Sequence, residues 1–262
     1  MSEDFSAIQD ILLDRYTPKT LDFSVPERGL DTIVARNLRN LRRELGWCQS
    51  DAADKMEVSI HQYRKYERGG DYVRMSSIAL FMQRSGIPFP YLFIGSAYEY
   101  VFKSMNLRAE LLPMQIFAGR SSDVQFMAMM ALLCDNLGVP SPAQDDISTL
   151  RWPCPAAVDD ELQNYYRLVA RGLRHFRQAL GMSQLAMAEL LDVAIRTLAR
   201  YEIDGEEPHF NVLMTMRLWA GTGIPPIWLM HGTEFFNMRM LQHQRMAYLN
   251  KLLAHTTPGQ LN

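Results

Sequence analysis

The chain of 262 residues reads as an all-α protein, and two observations predict it. A 34-residue segment occurs twice, from Val34 to Glu67 and from Val169 to Glu202, and the ungapped copies agree at 14 of the 34 positions, so one structural unit is duplicated. Within each copy, apolar residues recur at helical spacing: Val34, Leu38, Leu41 and Leu45, then Val169, Leu173, Phe176 and Leu180. Steps of four, three and four line one face of a helix that turns every ~3.6 residues.

Ahead of the first copy, the stretch to Gly29 holds one amphipathic run, FSAIQDILL, and then YTPKTLDFSVPE, which reads as an extended strap. The first helix of each copy carries arginines on its other faces. It stops at Gly46 or Gly181, since glycine readily takes the positive φ with which helices end. A second helix follows at once. Ser183 is a good N-cap for QLAMAELL, and Cys48 is a weaker one in the first copy. Glu57-Val58 and Asp192-Val193 leave room only for a tight turn before a third helix, predicted over 59–68 and 194–203. Two short helices at a steep angle after a longer one form a helix-turn-helix.

The third helix can face the core with Ile60, Tyr63 and Tyr66, or with Ile195, Leu198 and Tyr201. Its outer side then carries Ser59, His61, Gln62, Arg64 and Lys65, or Arg196, Thr197, Ala199 and Arg200. Such a face is rich in groups that hydrogen-bond base edges.

Between the copies, Ser96 to Asn106 and Ser122 to Leu137 are predicted helical, and the proline-rich VPSPAQDDISTLRWPCPAAVDDE reads as the linker. Its acidic end suits the N-terminus of the next helix, DDELQNYYRLVARGLRHFRQAL. A final helix is expected over 234–254, its Phe, Met and Leu stripe packed on its own domain or, alternatively, on a second copy of the chain. The methionine clusters FMAMM, LMTM and NMRM read as core filling. The chain therefore divides into an N-terminal segment (1–29), a first helix-turn-helix domain (30–105), a helical segment with an acidic linker (106–158), a second helix-turn-helix domain (159–232), and a C-terminal helix and tail (233–262).

Both copies resemble the phage-repressor, Xre/Cro-type helix-turn-helix domain. The likeness rests on the arginine-bearing first helix and on G-x-[SC]-Q opening the second. It extends to Ala at the helix crossing, Val in the turn, and a Glu followed within three residues by Gly. It continues through SSIALFMQRSGIPFPYLFIG and NVLMTMRLWAGTGIPPIWLMHG, covering about half of the chain. The resemblance implies two lambda-repressor-like domains joined by a partly helical linker, in a bacterial or phage transcription regulator that binds specific double-stranded DNA. By position it assigns DNA reading to Gln49, Ser59, His61, Gln62 and Lys65 in copy one, and to Gln184, Arg196, Thr197 and Arg200 in copy two. Phosphate contacts are expected from Arg36, Arg39, Arg171 and Arg174. The resemblance also implies structural ion pairs Arg42–Glu67 and Arg177–Glu202. Copy one departs from the pattern at Ala52 and Cys48, and copy two at Ala194, where a polar cap usually opens the third helix.

Charge is segregated in the same sense. Val34–Gly70 carries a net +3 and Tyr165–Gly205 a net +2, leaving −7 on the remainder of a chain whose total is −2. Cations on the repeats and acids around them suit a small phosphate-binding footprint. No apolar run reaches the ~20 residues that span a bilayer, and the acidic start MSEDFSAIQD is unlike a signal peptide, so a cytoplasmic protein is expected. The histidines and three cysteines show no metal-ligand spacing, and neither a phosphate loop nor a nucleophile elbow occurs. No enzyme activity, cofactor or metal is expected. The second reading is a regulator whose helix-turn-helix units dock on another protein, such as a transcription factor, RNA polymerase or toxin.

Overall fold

The computed structural model describes residues 29–96, 111–140, 154–203, 210–223 and 225–253. The N-terminal strap, most of the predicted helix over 96–106 and most of the linker lie outside the described residues. The fold is all-α, and among the described residues the only extended pairing is one isolated antiparallel bridge, Arg74 with Asn211.

Copy one comprises α1 (Leu30–Glu44), α2 (Gln49–Lys55), α3 (Ile60–Arg68), α4 (Met75–Ser85) and a 3-10 turn, Phe89–Phe93. Between the copies come α5 (Leu112–Arg120), α6 (Asp123–Leu137) and α7 (Pro155–Gln163). Copy two repeats the order with α8 (Tyr165–Ala179), α9 (Gln184–Leu191), α10 (Ile195–Tyr201), α11 (Val212–Thr222) and the 3-10 turn Pro226–Met230, and α12 (Glu234–Leu253) follows.

The helix ends follow local chemistry. Gly46 and Gly181 have φ of 69° and 65°, and the Ser183 hydroxyl accepts from the Ala186 N–H at 3.1 Å. Ala194 offers no side-chain cap to α10, whereas Ser59 caps α3. Cys48 is helped by Asp51, whose carboxylate accepts the Cys48 backbone N–H at 2.7 Å.

Three features depart from the expectation. The helix predicted through 159–180 is broken at Asn164, because Val158 and Leu162 of α7 pack towards α4 and α12 while α8 turns Val169, Leu173 and Phe176 into the core. Helix α7 also begins at Pro155, inside the stretch assigned to the linker; proline's fixed φ suits a first helical position. Helix α5 was not anticipated, since Pro113 and Gly119 hide its pattern, yet Gly119 is where its backbone touches the end of α4: a Cβ there would lie 2.8 Å from Gly86 O.

Buried apolar residues of both copies form one contiguous cluster, from Leu30 in α1 to Met238 in α12. The copies are separated by a long segment in sequence and meet directly in space. The Ser76 hydroxyl donates to Tyr166 Oη at 2.8 Å, and Gln83 of α4 also reaches Asp159 of the intervening α7 at 3.3 Å.

The stripe on α12 is used inside the chain. Its first turns enter the main cluster, and Leu249 and Leu253 join Leu111, Ala118, Phe126 and Met130 in a second. The buried Arg245 guanidinium binds Ala118 O at 3.1 Å, Ser121 O at 2.7 Å and the Asp123 carboxylate. The start of α12 is capped from α7: Glu161 accepts the Glu234 and Phe235 N–H groups at 2.8 and 2.7 Å. A carboxylate on a helix N-terminus satisfies orphan donors and complements the helix dipole. Glu161→Ala is therefore expected to lower stability by about 1–2 kcal/mol, measured as a lower urea midpoint with an unchanged slope. Among the described residues, no helix is long and apolar enough to cross a membrane.

Candidate nucleic-acid interface

Each copy builds its outer surface on a buried ionic lock. At the end of α3, Glu67 receives Arg42 Nε from α1 at 2.6 Å, Gln49 Nε2 from α2 at 2.8 Å and the Tyr63 hydroxyl at 3.0 Å. Arg42 also donates to Trp47 O at 2.7 Å, closing the turn after α1. Copy two repeats the lock: Glu202 receives Arg177 Nε at 2.5 Å and Nη2 at 2.9 Å, with Gln184 at 3.0 Å, while Arg177 reaches Met182 O at 3.0 Å. Both glutamates are 3 % exposed in their side chains, so three helices are held together by groups withdrawn from water. Burial pushes each carboxyl up, but the hydrogen bonds from arginine and glutamine outweigh it and hold both below the usual carboxylate range.

The turn between the second and third helices is also the same in both copies. Glu57 and Asp192 are left-handed, with φ of 54° and 52°. Side chains other than glycine disfavour that region, and here an arginine from the fourth helix holds the turn. Arg84 binds Glu57 at 2.5 Å and Lys55 O at 2.7 Å; Arg217 binds Asp192 at 3.1 Å and Leu191 O at 2.8 Å. The two arginines come from different turns of α4 and α11, so the ungapped repeat did not reveal them.

On this frame the third helices present their outer faces. His61, Arg64 and Lys65 of α3 are exposed, as is Arg68 at its end. Gln62 is half-buried and donates to Asp71 at 3.1 Å. Ser59 lies outside the helix as its N-cap, its hydroxyl accepting the Gln62 N–H at 3.1 Å. Arg64 Nε reaches Gln49 Oε1 at 3.4 Å, tying the outer face to the lock. In α10, Arg196 and Arg200 are exposed and Thr197 is half-buried. Arg68, absent from the expected reading set, extends this cationic face one turn beyond Arg64.

The glutamines expected to open onto DNA each commit one amide N–H inward, to Glu67 or Glu202. Three of the four arginines expected at phosphates are also engaged within their units. Arg36 donates to Ile94 O at 3.3 Å, Arg39 to Glu67 O at 2.5 Å, and Arg174 to Glu202 O. The last two tie α1 and α8 to the carbonyl ends of α3 and α10. Arg171 is exposed on α8. Among the described residues, no cluster of His, Cys, Asp or Glu could hold a metal ion.

Comparison of the chain with protein-family models, with curated proteins and with solved structures gave no match.

Proposed function

We propose that this protein is a transcription regulator that binds a specific duplex DNA site through two helix-turn-helix units of the Xre/Cro type. The observation that carries the reading is the duplicated lock. Identical Arg–Glu–Gln triads fix, in each copy, a short helix whose exposed side bears cations and hydrogen-bonding groups. Rigid placement matters because base reading requires donors fixed at the groove floor, while phosphates supply most of the affinity. His61, Gln62, Lys65 and Arg64 read one half-site; Arg196, Thr197 and Arg200 read the other. Gln49, Gln184 and Arg171 flank these helices and contact the backbone, with Arg36, Arg39 and Arg174 supporting them. The protein works in the cytoplasm without cofactor or catalysis. RNA polymerase is a further partner in this reading; a second chain joining through α12, the other expectation, would have to displace the packing of α12 on α5 and α7.

A double variant, Arg196→Ala with Arg200→Ala, tests it. Binding to duplex fragments across a salt series should weaken, and the slope of log K against log salt should flatten by about one or two. Unchanged affinity and slope would refute DNA reading by copy two. His61→Ala with Lys65→Ala is the matching test for copy one.

One observation favours the docking alternative for copy two. Leu185, Ile195 and Ile203 are 55 %, 46 % and 47 % exposed around α10. Copy one has Ser50, Ile60 and Arg68 at those positions. An apolar rim suits a protein partner, and an affinity and salt slope unchanged in the Arg196→Ala, Arg200→Ala variant would support that reading for copy two.

A further inference from the structure

At one joint the two copies meet through equivalent residues. Arg74 and Asn211 are the N-caps of the fourth helix of each copy, α4 and α11, and they pair with each other as the isolated antiparallel bridge. The Met75 N–H donates to Phe210 O at 3.0 Å, and the Val212 N–H donates to Val73 O at 3.0 Å. Val73 and Phe210 each precede a cap by one residue; Met75 and Val212 each follow by one. Exchanging the copies therefore exchanges the two bonds.

A reciprocal pair of that kind has a local twofold axis, which passes between Arg74 and Asn211. A contact between unrelated faces of the two units would match some residue i with a different residue j. Only an isologous contact puts the same position on both sides. The joint is firm, because Val73, Met75, Phe210 and Val212 are all buried members of the shared core.

The reading helices lie directly upstream of this axis. Arg68 at the end of α3 precedes Arg74 by six residues, a path of at most about 22 Å. Its counterpart Ile203 precedes Asn211 by eight residues, at most about 29 Å, so with about 5 Å across the bridge the two helix ends lie no more than about 56 Å apart, a range that includes the ~34 Å between successive major grooves on one side of a duplex.

Resting on the DNA-reading proposal, we infer that one chain is a built-in dimer that takes a single duplex site made of two unlike half-sites in inverted orientation. B-form DNA has local dyads perpendicular to its axis, and a protein twofold can coincide with one of them. Direct repeats are related by a screw along the helix, which a twofold cannot match. The joint between the copies is symmetric while their reading residues differ: His61 against Arg196, Gln62 against Thr197, Arg64 against Ala199. A symmetric dimer cannot tell the two ends of its site apart. This chain can, so a bound chain points in one direction along the DNA. The joint at Arg74 and Asn211, not the segment between the copies, sets the half-site spacing.

The experiment selects from random duplexes of about 30 base pairs, three helical turns, with the full-length protein. Enriched duplexes should carry two unlike elements inverted about one centre, and the mass of the saturated complex should correspond to one chain per duplex. Rebuilding the best duplex with one element reversed in place should weaken binding about 100-fold, the order lost when two linked units can no longer engage together. Equal binding of the reversed duplex, enrichment of direct repeats, or two chains per duplex would overturn the inference and leave DNA reading intact. No enrichment of any duplex would overturn both.

A joint variant adds an independent arm. Met75→Pro with Val212→Pro deletes both donated N–H groups at first helical positions, where proline is tolerated, after caps already extended at ψ 142° and 176°. Helical circular dichroism should persist while the preference for the inverted duplex falls below about tenfold. An undiminished preference in that folded variant would overturn the part assigned to the bridge.

Discussion

Arg42→Ala is expected to lower stability by about 3–5 kcal/mol, read as a lower urea midpoint, because it strands a buried carboxylate. Glu67 would keep Gln49 and Tyr63 as donors but lose its only cation within 3 Å; Arg39 lies at 3.8 Å. The Trp47 carbonyl would lose its donor as well. Lysine is a poor replacement, since one ammonium cannot serve both Glu67 and Trp47 O as the guanidinium fork does. Arg177→Ala should cost at least as much. The position equivalent to Tyr63 is Leu198, which has no hydroxyl to leave with Glu202. A smaller loss for Arg177→Ala than for Arg42→Ala would contradict this account of the lock.

The lock also gives stability a pH dependence of definite sign. Both carboxyls have folded-state pKa values below the ordinary range, so the folded state binds fewer protons than the unfolded chain in that interval. Their contribution is complete above about pH 5 and is lost as the pH falls through the folded values. Thermal melts of Glu67→Gln should be less stable at neutral pH and flatter across acid pH than the parent. A parallel acid dependence would remove Glu67 from the explanation.

Gly172→Ala is expected to destabilise by about 3 kcal/mol, although alanine is the better helix former by about 1 kcal/mol. The sign is decided by distance. A Cβ at Gly172 would lie 2.0 Å from Leu229 O, 2.7 Å from its carbonyl carbon and 2.9 Å from its Cα. Those are backbone atoms of the 3-10 turn packed on α8, so relief requires moving the turn rather than a side-chain rotation. Copy one solves the same contact differently. Its equivalent residue is Asn37, whose amide donates to Leu92 O at 3.0 Å and Ile94 O at 2.8 Å. In copy one a side chain bridges helix and turn; in copy two the backbones touch. Gly172→Asn should accordingly fail too, and a stability equal to the parent's in either variant would show that the turn is free to move.

Much of each unit was legible in sequence. Apolar spacing located α1 and α8, glycines located the first helix ends, and Ser183 fell at a cap, because these signals act within a turn or two of chain. The third helices were placed within two residues at each end. The Arg42–Glu67 and Arg177–Glu202 contacts came from the resemblance, not from spacing, since partners 25 residues apart leave no local trace. For the same reason the engagement of Arg36, Arg39 and Arg174 with carbonyls was not visible. A sequence shows a cation on a helix face, but not the chain end folded against it.

What the sequence determined by itself is the unit: the order of its helices, the faces they bury apart from Ile195, which faces solvent instead of the core, and the residues that vary between copies on the outer side of the third helix. The tertiary structure alone decided how the units are joined. The joint is made by main-chain groups of Met75, Phe210, Val212 and Val73, and every residue carries the same N–H and C=O, so no side-chain pattern announces which pair will meet. Burial of a shared core selects that pairing, and with it the reciprocal joint from which both units extend, through contacts between residues far apart in the chain.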